Sequence, residues 1–123
     1  MLCDAAEWKD VAVDPAMTLT YGGRPYALLS TSEQYRVRAV LAVAMARLDG
    51  SDLVVIDAAD VLDGETRSGL FAMLEEAELA ALVCMTLTRR GQCPDLAELG
   101  LGCSYWIEAG VCDALRTTAG AAA

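Results

Sequence analysis

Two short apolar runs, DLVVID at residues 52–57 and ALVCMTL at residues 81–87, constrain this chain more than any other feature, because the segment between them is helical in pattern. Unbroken apolar runs of this length, rich in β-branched residues, suit strands buried in a parallel sheet. The connecting GETRSGLFAMLEEAEL places Leu70, Met73, Leu74 and Ala77 on one helix face. Strand, helix, strand in that order implies a crossover between parallel neighbours, and so an α/β fold with a parallel-sheet core.

Upstream, LLSTSEQYRVR at residues 28–38 turns an apolar stretch into a long helix. Ser30, Thr31 or Ser32 caps the helix that Glu33 and Gln34 begin, since a hydroxyl oxygen can accept a bond from its unpaired first N–H groups. The same N–H groups are suited to gripping a phosphate. Val37, Val40, Leu41, Ala44, Met45 and Leu48 recur at helical spacing and form the expected buried face, and Asp49, Gly50 and Ser51 end the helix. VAVD at residues 11–14 and MTLTYGGRPYALL at residues 17–29 read as strands, with Gly22 and Gly23 turning a hairpin. Near the C-terminus we expect a short helix at Pro94 to Leu99, then a hairpin through CSYWIEAGVCDAL with one of Tyr105 and Trp106 facing inward. One folded lobe over residues 1–116 and a frayed tail over residues 117–123 complete the expected organisation.

Composition removes several function classes. The chain has 18 acidic and 9 basic residues, a net charge of -9, and Lys9 as its single lysine. Such a surface repels a phosphate backbone, which argues against a broad DNA-binding face on this segment. It has five cysteines without a CxxC pair and no histidine, so zinc sites are disfavoured and the thiols are expected to be reduced. Ser-His-Asp and Cys-His catalysis are excluded within the chain. Carboxylate, hydroxyl and backbone chemistry remain. No apolar run is long enough for a membrane span, and Met1 is followed by Asp4 and Glu7 in place of a basic leader, so the expected location is cytoplasmic. Met17, Met45, Met73 and Met85 are expected to fill gaps in the core. Arg36 and Arg38, near the phosphate-facing end of the helix, are expected on a solvated face, with contact to an acidic neighbour or a nucleotide as the alternative.

In open α/β sheets ligands bind beyond the carboxyl ends of the strands, which places Asp57, Asp60, Asp63 and Thr86 on the functional edge. A buried carboxylate there suits hydrated Mg2+, which commonly takes one or two protein carboxylates with phosphate oxygens. Alternatively, Asp57 ends a strand and caps a loop.

Taken together, these segments resemble the C-terminal lobe of an ABC-type ATPase head of the SMC, RecN and RecF branch. LSTSEQ at residues 29–34 resembles the signature motif LSGGE or LSGGQ, LVVID at residues 53–57 resembles Walker B, and VLD at residues 61–63 resembles the D-loop. The resemblance covers roughly residues 11–108. It implies half of a P-loop ATPase head, bound to ATP and Mg2+ as cofactors. Ser30, Thr31, Ser32, Glu33 and Gln34 would contact a nucleotide held by a second head, in a homodimer formed as an ATP sandwich. Asp57 would orient Mg2+ through water, and Leu62 and Asp63 would form the D-loop. Thr86 and Thr88 would stand in the switch region. The implied biology is DNA repair or chromosome and phage DNA handling, with DNA met through the full assembly.

The chain departs from that family at four places. Thr31 and Ser32 replace the two signature glycines. Ala58 stands where the family has its catalytic glutamate, with Asp60 three residues beyond Asp57 as the candidate substitute. The switch histidine is missing. No GxxxxGK[ST] occurs, and YGGRPY lacks the Lys-Ser/Thr pair, so a P-loop-containing N-terminal lobe must be supplied from elsewhere. Two other readings stay open: an inactive interaction or regulatory module that keeps the fold, and a receiver-like or phosphatase-like domain that uses Asp57 as a nucleophile.

Overall fold

A computed structural model describes residues 1–115, so the expected tail lies outside the described residues. They fall into two compact units, one of residues 1–86 and one that begins at Leu87. The first holds a short helix α1 (Leu2–Ala6), strands β1 (Val11–Val13), β2 (Leu19–Tyr21) and β3 (Arg24–Pro25), helix α2 (Thr31–Asp49), strand β4 (Leu53–Ile56), helix α3 (Gly64–Ala77) and strand β5 (Ala80–Val83). The second holds a hairpin of β6 (Tyr105–Glu108) and β7 (Val111–Ala114). The fold is therefore mixed α/β, with one small parallel sheet and antiparallel hairpins.

The parallel pair is the one the apolar runs demand. Leu53, Val54, Val55 and Ile56 stand opposite Ala80, Ala81, Leu82 and Val83. Pairing extends past the strands, with Cys84 N–H donating to the Ile56 carbonyl at 2.8 Å and Ala59 N–H donating to the Cys84 carbonyl at 2.9 Å. Between the strands, α3 buries Leu70, Met73, Leu74 and Ala77, as its periodicity predicts. Helix α1, which the sequence did not announce, packs against α3 at Gly69. A Cβ at Gly69 would collide with the Ala6 carbonyl oxygen and come within 2.8 Å of Trp8 Nε1, so only glycine permits this approach.

Several expectations are corrected. Helix α2 buries Tyr35, Val37, Ala39, Val40, Val43 and Ala46, while Met45 and Leu48 are 65% and 88% exposed. The buried face is rotated from the expected one because apolar residues surround this helix, and contact with the rest of the unit selects among them. The strands are not buried on both faces. Val54 and Ile56 enter the core, but Leu53, Val55 and Leu82 are 55%, 57% and 56% exposed. In the hairpin expected over residues 17–29, β3 is cut short by a 3-10 turn at Tyr26–Leu28. The helix expected at Pro94 to Leu99 is replaced by a turn over residues 96–100, with a 3-10 turn at Arg90–Gln92 before it. Met73 fills the core, but Met17 is exposed. In the C-terminal hairpin Trp106 is half-buried and Tyr105 is exposed.

No helix among the described residues is long and apolar enough to cross a membrane.

Candidate functional site

Ser30 is the residue that caps α2. Its Oγ accepts from Glu33 N–H at 3.2 Å, and Glu33 Oε1 accepts in return from Ser30 N–H at 3.2 Å, a reciprocal capping box. The two bonds hold the Glu33 carboxyl below its ordinary pKa, the backbone bond from Ser30 foremost. Gln34 Nε2 donates to the Tyr26 carbonyl at 3.0 Å. Ser30, Glu33 and Gln34 are thus engaged in shaping the helix start, and the N–H groups of Thr31 and Ser32 are its first-turn donors.

Arg36 is not on a solvated face. Its Nη1 donates to Tyr21 Oη at 3.2 Å and its Nη2 donates to Ser32 Oγ at 3.2 Å. Nε is buried without an acceptor, and the guanidinium lies 6.0 Å from the Tyr21 ring centroid. Ser32 Oγ accepts this bond and keeps its own hydroxyl proton as a donor. Arg38 is exposed as expected, donating to Tyr26 Oη at 2.9 Å.

At the carboxyl end of β4, Asp57 is exposed and not buried, so the expected desolvated carboxylate is absent. One of its oxygens accepts from Ala58 N–H at 2.8 Å. The other has no protein donor among the described residues, an arrangement open to a hydrated cation. Tyr35 Oη donates to the Asp57 carbonyl, tying α2 to the strand end. Burial, then the charges of Asp57 and Asp60, push the Tyr35 hydroxyl above its ordinary pKa and keep it a donor. Ala58 adopts the left-handed region at φ 56°. Its methyl group offers no base.

Asp60 and Thr86 meet at this edge, where Asp60 Oδ1 accepts from Thr86 N–H at 3.0 Å. Leu62 is buried in the core, and Asp63 caps α3 by accepting from Thr66 Oγ1 at 2.6 Å and Thr66 N–H at 2.8 Å. Those bonds, the hydroxyl's first, lower the Asp63 pKa. Arg67 clamps the segment between Asp57 and Asp63 through the carbonyls of Ala59 and Leu62. Thr88 belongs to the second unit, where its hydroxyl and N–H donate to Gln92 Oε1. Among the described residues no three His, Cys, Asp or Glu side chains converge as a metal site.

Beside Asp57 a shallow cavity of about 170 Å3 opens between α2 and β4, lined by Tyr35, Arg38, Ala39, Ala42, Val55 and Asp57 among others. Tyr35 and Arg67 are contributors that sequence reasoning missed, and Arg36 is one that it placed on a solvated face. The one available signal was that Tyr35 directly follows LSTSEQ and Arg67 lies four residues beyond VLD. No protein-family model and no curated protein matches this chain.

Proposed function

We propose that this chain is the C-terminal lobe of an SMC-like ABC-type ATPase head. It contributes a signature-type helix start and a Walker B-type strand to an ATP sandwich. The observation that carries the reading is the pairing of two edges in one unit: a capped helix start with the first-turn N–H groups of Thr31 and Ser32, and a parallel strand ending in Asp57 with a free carboxylate oxygen. Tyr35 links them directly. The dipole of the 19-residue α2 favours an anion at its start by about 0.3 to 1 kcal/mol at exposed sites.

Mg2+ would supply charge neutralisation between phosphate oxygens, with Asp57 holding it through water. The chain's own part is to present donors and orient that ion. A P-loop lobe must complete the nucleotide site.

Ala58 favours a second reading, an inactive module that retains the fold, because its methyl group cannot act as the base and Asp60, held at one oxygen by Thr86 N–H, lies three residues beyond Asp57. The test is Mg-ATP binding by this chain alone and with a P-loop lobe encoded beside it. Binding or ATP-dependent pairing that needs both parts, and falls in Ser32→Arg and Asp57→Ala, supports the ATPase lobe. ATP-driven pairing without turnover selects the inactive form. No response to ATP in either preparation rejects the ATPase lobe and leaves the chain as an interaction module.

A further inference from the structure

One face of the β4–β5 sheet is buried at Val54 and Ile56 and half-buried at Val83, although Ala81 on it is exposed. Register puts Leu53, Val55, Ala80 and Leu82 on the other face, and all four are exposed. Parallel sheets are found almost only where both faces are covered, and the usual cover is a helix. Val55 also lines the cavity shared with Tyr35, Arg38 and Ala42, so the bare face continues into a recess able to take an anchoring side chain. Exposed acidic residues flank the two strands in sequence, Asp52 before β4, Asp57 and Asp60 after it and Glu78 before β5, and outnumber Arg38, which lines the recess. With the whole chain at -9, a second copy would bring like charge to the same rim.

We propose that this face is a docking surface for an amphipathic helix of a partner polypeptide, with an apolar stripe against Leu53, Val55 and Leu82 and lysine or arginine along its flanks. The apolar stripe supplies the contact area, and the basic flanks answer the acidic rim and exclude self-pairing. The inference holds for any α/β reading of the chain and does not depend on nucleotide binding.

The test uses a helical peptide of about 18 residues with leucines at i, i+3, i+4 and i+7 spacing and lysines elsewhere. Its binding to the full chain is measured by fluorescence anisotropy at about 0.15 M salt. Controls are a scrambled peptide of the same composition and a leucine–glutamate version. Tight binding of the patterned basic peptide is expected, weakened about tenfold or more by Val55→Thr or Leu82→Thr and unchanged by Val13→Thr, an exposed site on β1. Amide shifts on binding should map to residues 53–57 and 80–83. Equal binding of the scrambled peptide, or wild-type affinity in both Val55→Thr and Leu82→Thr, would reduce the effect to charge attraction and overturn the proposal. A saturable dimer of the chain that Val55→Thr abolishes would assign the face to a second copy and overturn it equally. Each threonine variant changes an exposed position, and circular dichroism before titration confirms its fold; the two variants report independently.

Discussion

At Gly69 two effects of opposite sign compete. In a solvent-facing helix, glycine to alanine gains up to about 1 kcal/mol of helix propensity. Here the added methyl group meets the Ala6 carbonyl oxygen and Trp8 Nε1, and overpacking of this kind costs about 1 to 3 kcal/mol. The clash should win, because its neighbour is backbone and cannot swing aside. Gly69→Ala is expected to lower the midpoint of urea unfolding, whereas Gly64→Ala, an exposed helical position whose Cβ would meet nothing within 4 Å, should leave it unchanged or raise it. Tyr35 offers a second comparison at this scale. Removing its hydroxyl in Tyr35→Phe takes that donor from the Asp57 carbonyl and should cost about 0.5 to 1.5 kcal/mol, since Asp57 is exposed and water can reach it. Amide exchange at residues 57–60 should quicken in that variant.

At the scale of elements, both long helices begin with a carboxylate that accepts hydrogen bonds, and both carboxylates have lowered pKa values. A group whose folded pKa lies below its unfolded one adds stability above the unfolded value and loses it as pH falls through the folded value. The unfolded values are about 4.3 for glutamate and 3.9 for aspartate, so the support from Glu33 and Asp63 should fade as acid is added below about pH 4. The expected result is a loss of stability between neutral pH and pH 3 that is shallower in Glu33→Gln and Asp63→Asn, read from thermal midpoints by circular dichroism. These starts were legible in the sequence because a hydroxyl or carboxylate followed by a helical run carries its own local chemistry. The β4–α3–β5 unit was legible for a similar reason, its pattern lying within one contiguous segment. The buried face of α2 was not, since Val37, Val40, Leu41, Val43, Met45 and Leu48 offer apolar atoms in nearly every direction and only tertiary contact chooses among them. Helix α1 was hidden likewise: five residues carry little periodicity, and its place depends on the distant Gly69. Within the candidate site the strand-end position of Asp57 was readable, but its exposure and the Arg36–Tyr21 contact, which joins α2 to β2, depend on how the elements pack.

For the whole molecule, the balance is between an open apolar sheet face and a net charge of -9. Charge keeps copies apart at neutral pH and low salt. Apolar contact acts once they come close. Salt is the cleaner lever than acid, because approaching the pI of about 4.2 would also titrate the helix starts. Raising ionic strength shortens the screening length from about 30 Å at 0.01 M to about 10 Å at 0.1 M and 3 Å at 1 M. Light scattering from the isolated chain at neutral pH should therefore rise with salt, without a defined stoichiometry. Val55→Thr with Leu82→Thr should flatten that rise, because polar atoms replace part of the sheet's apolar surface while the charge is unchanged. If wild-type scattering stays flat to 1 M salt, the bare face contributes too little contact area to drive association. If the double variant scatters as wild type does, the attraction lies elsewhere, with the exposed Met45 and Leu48 of α2 as the next surface to change.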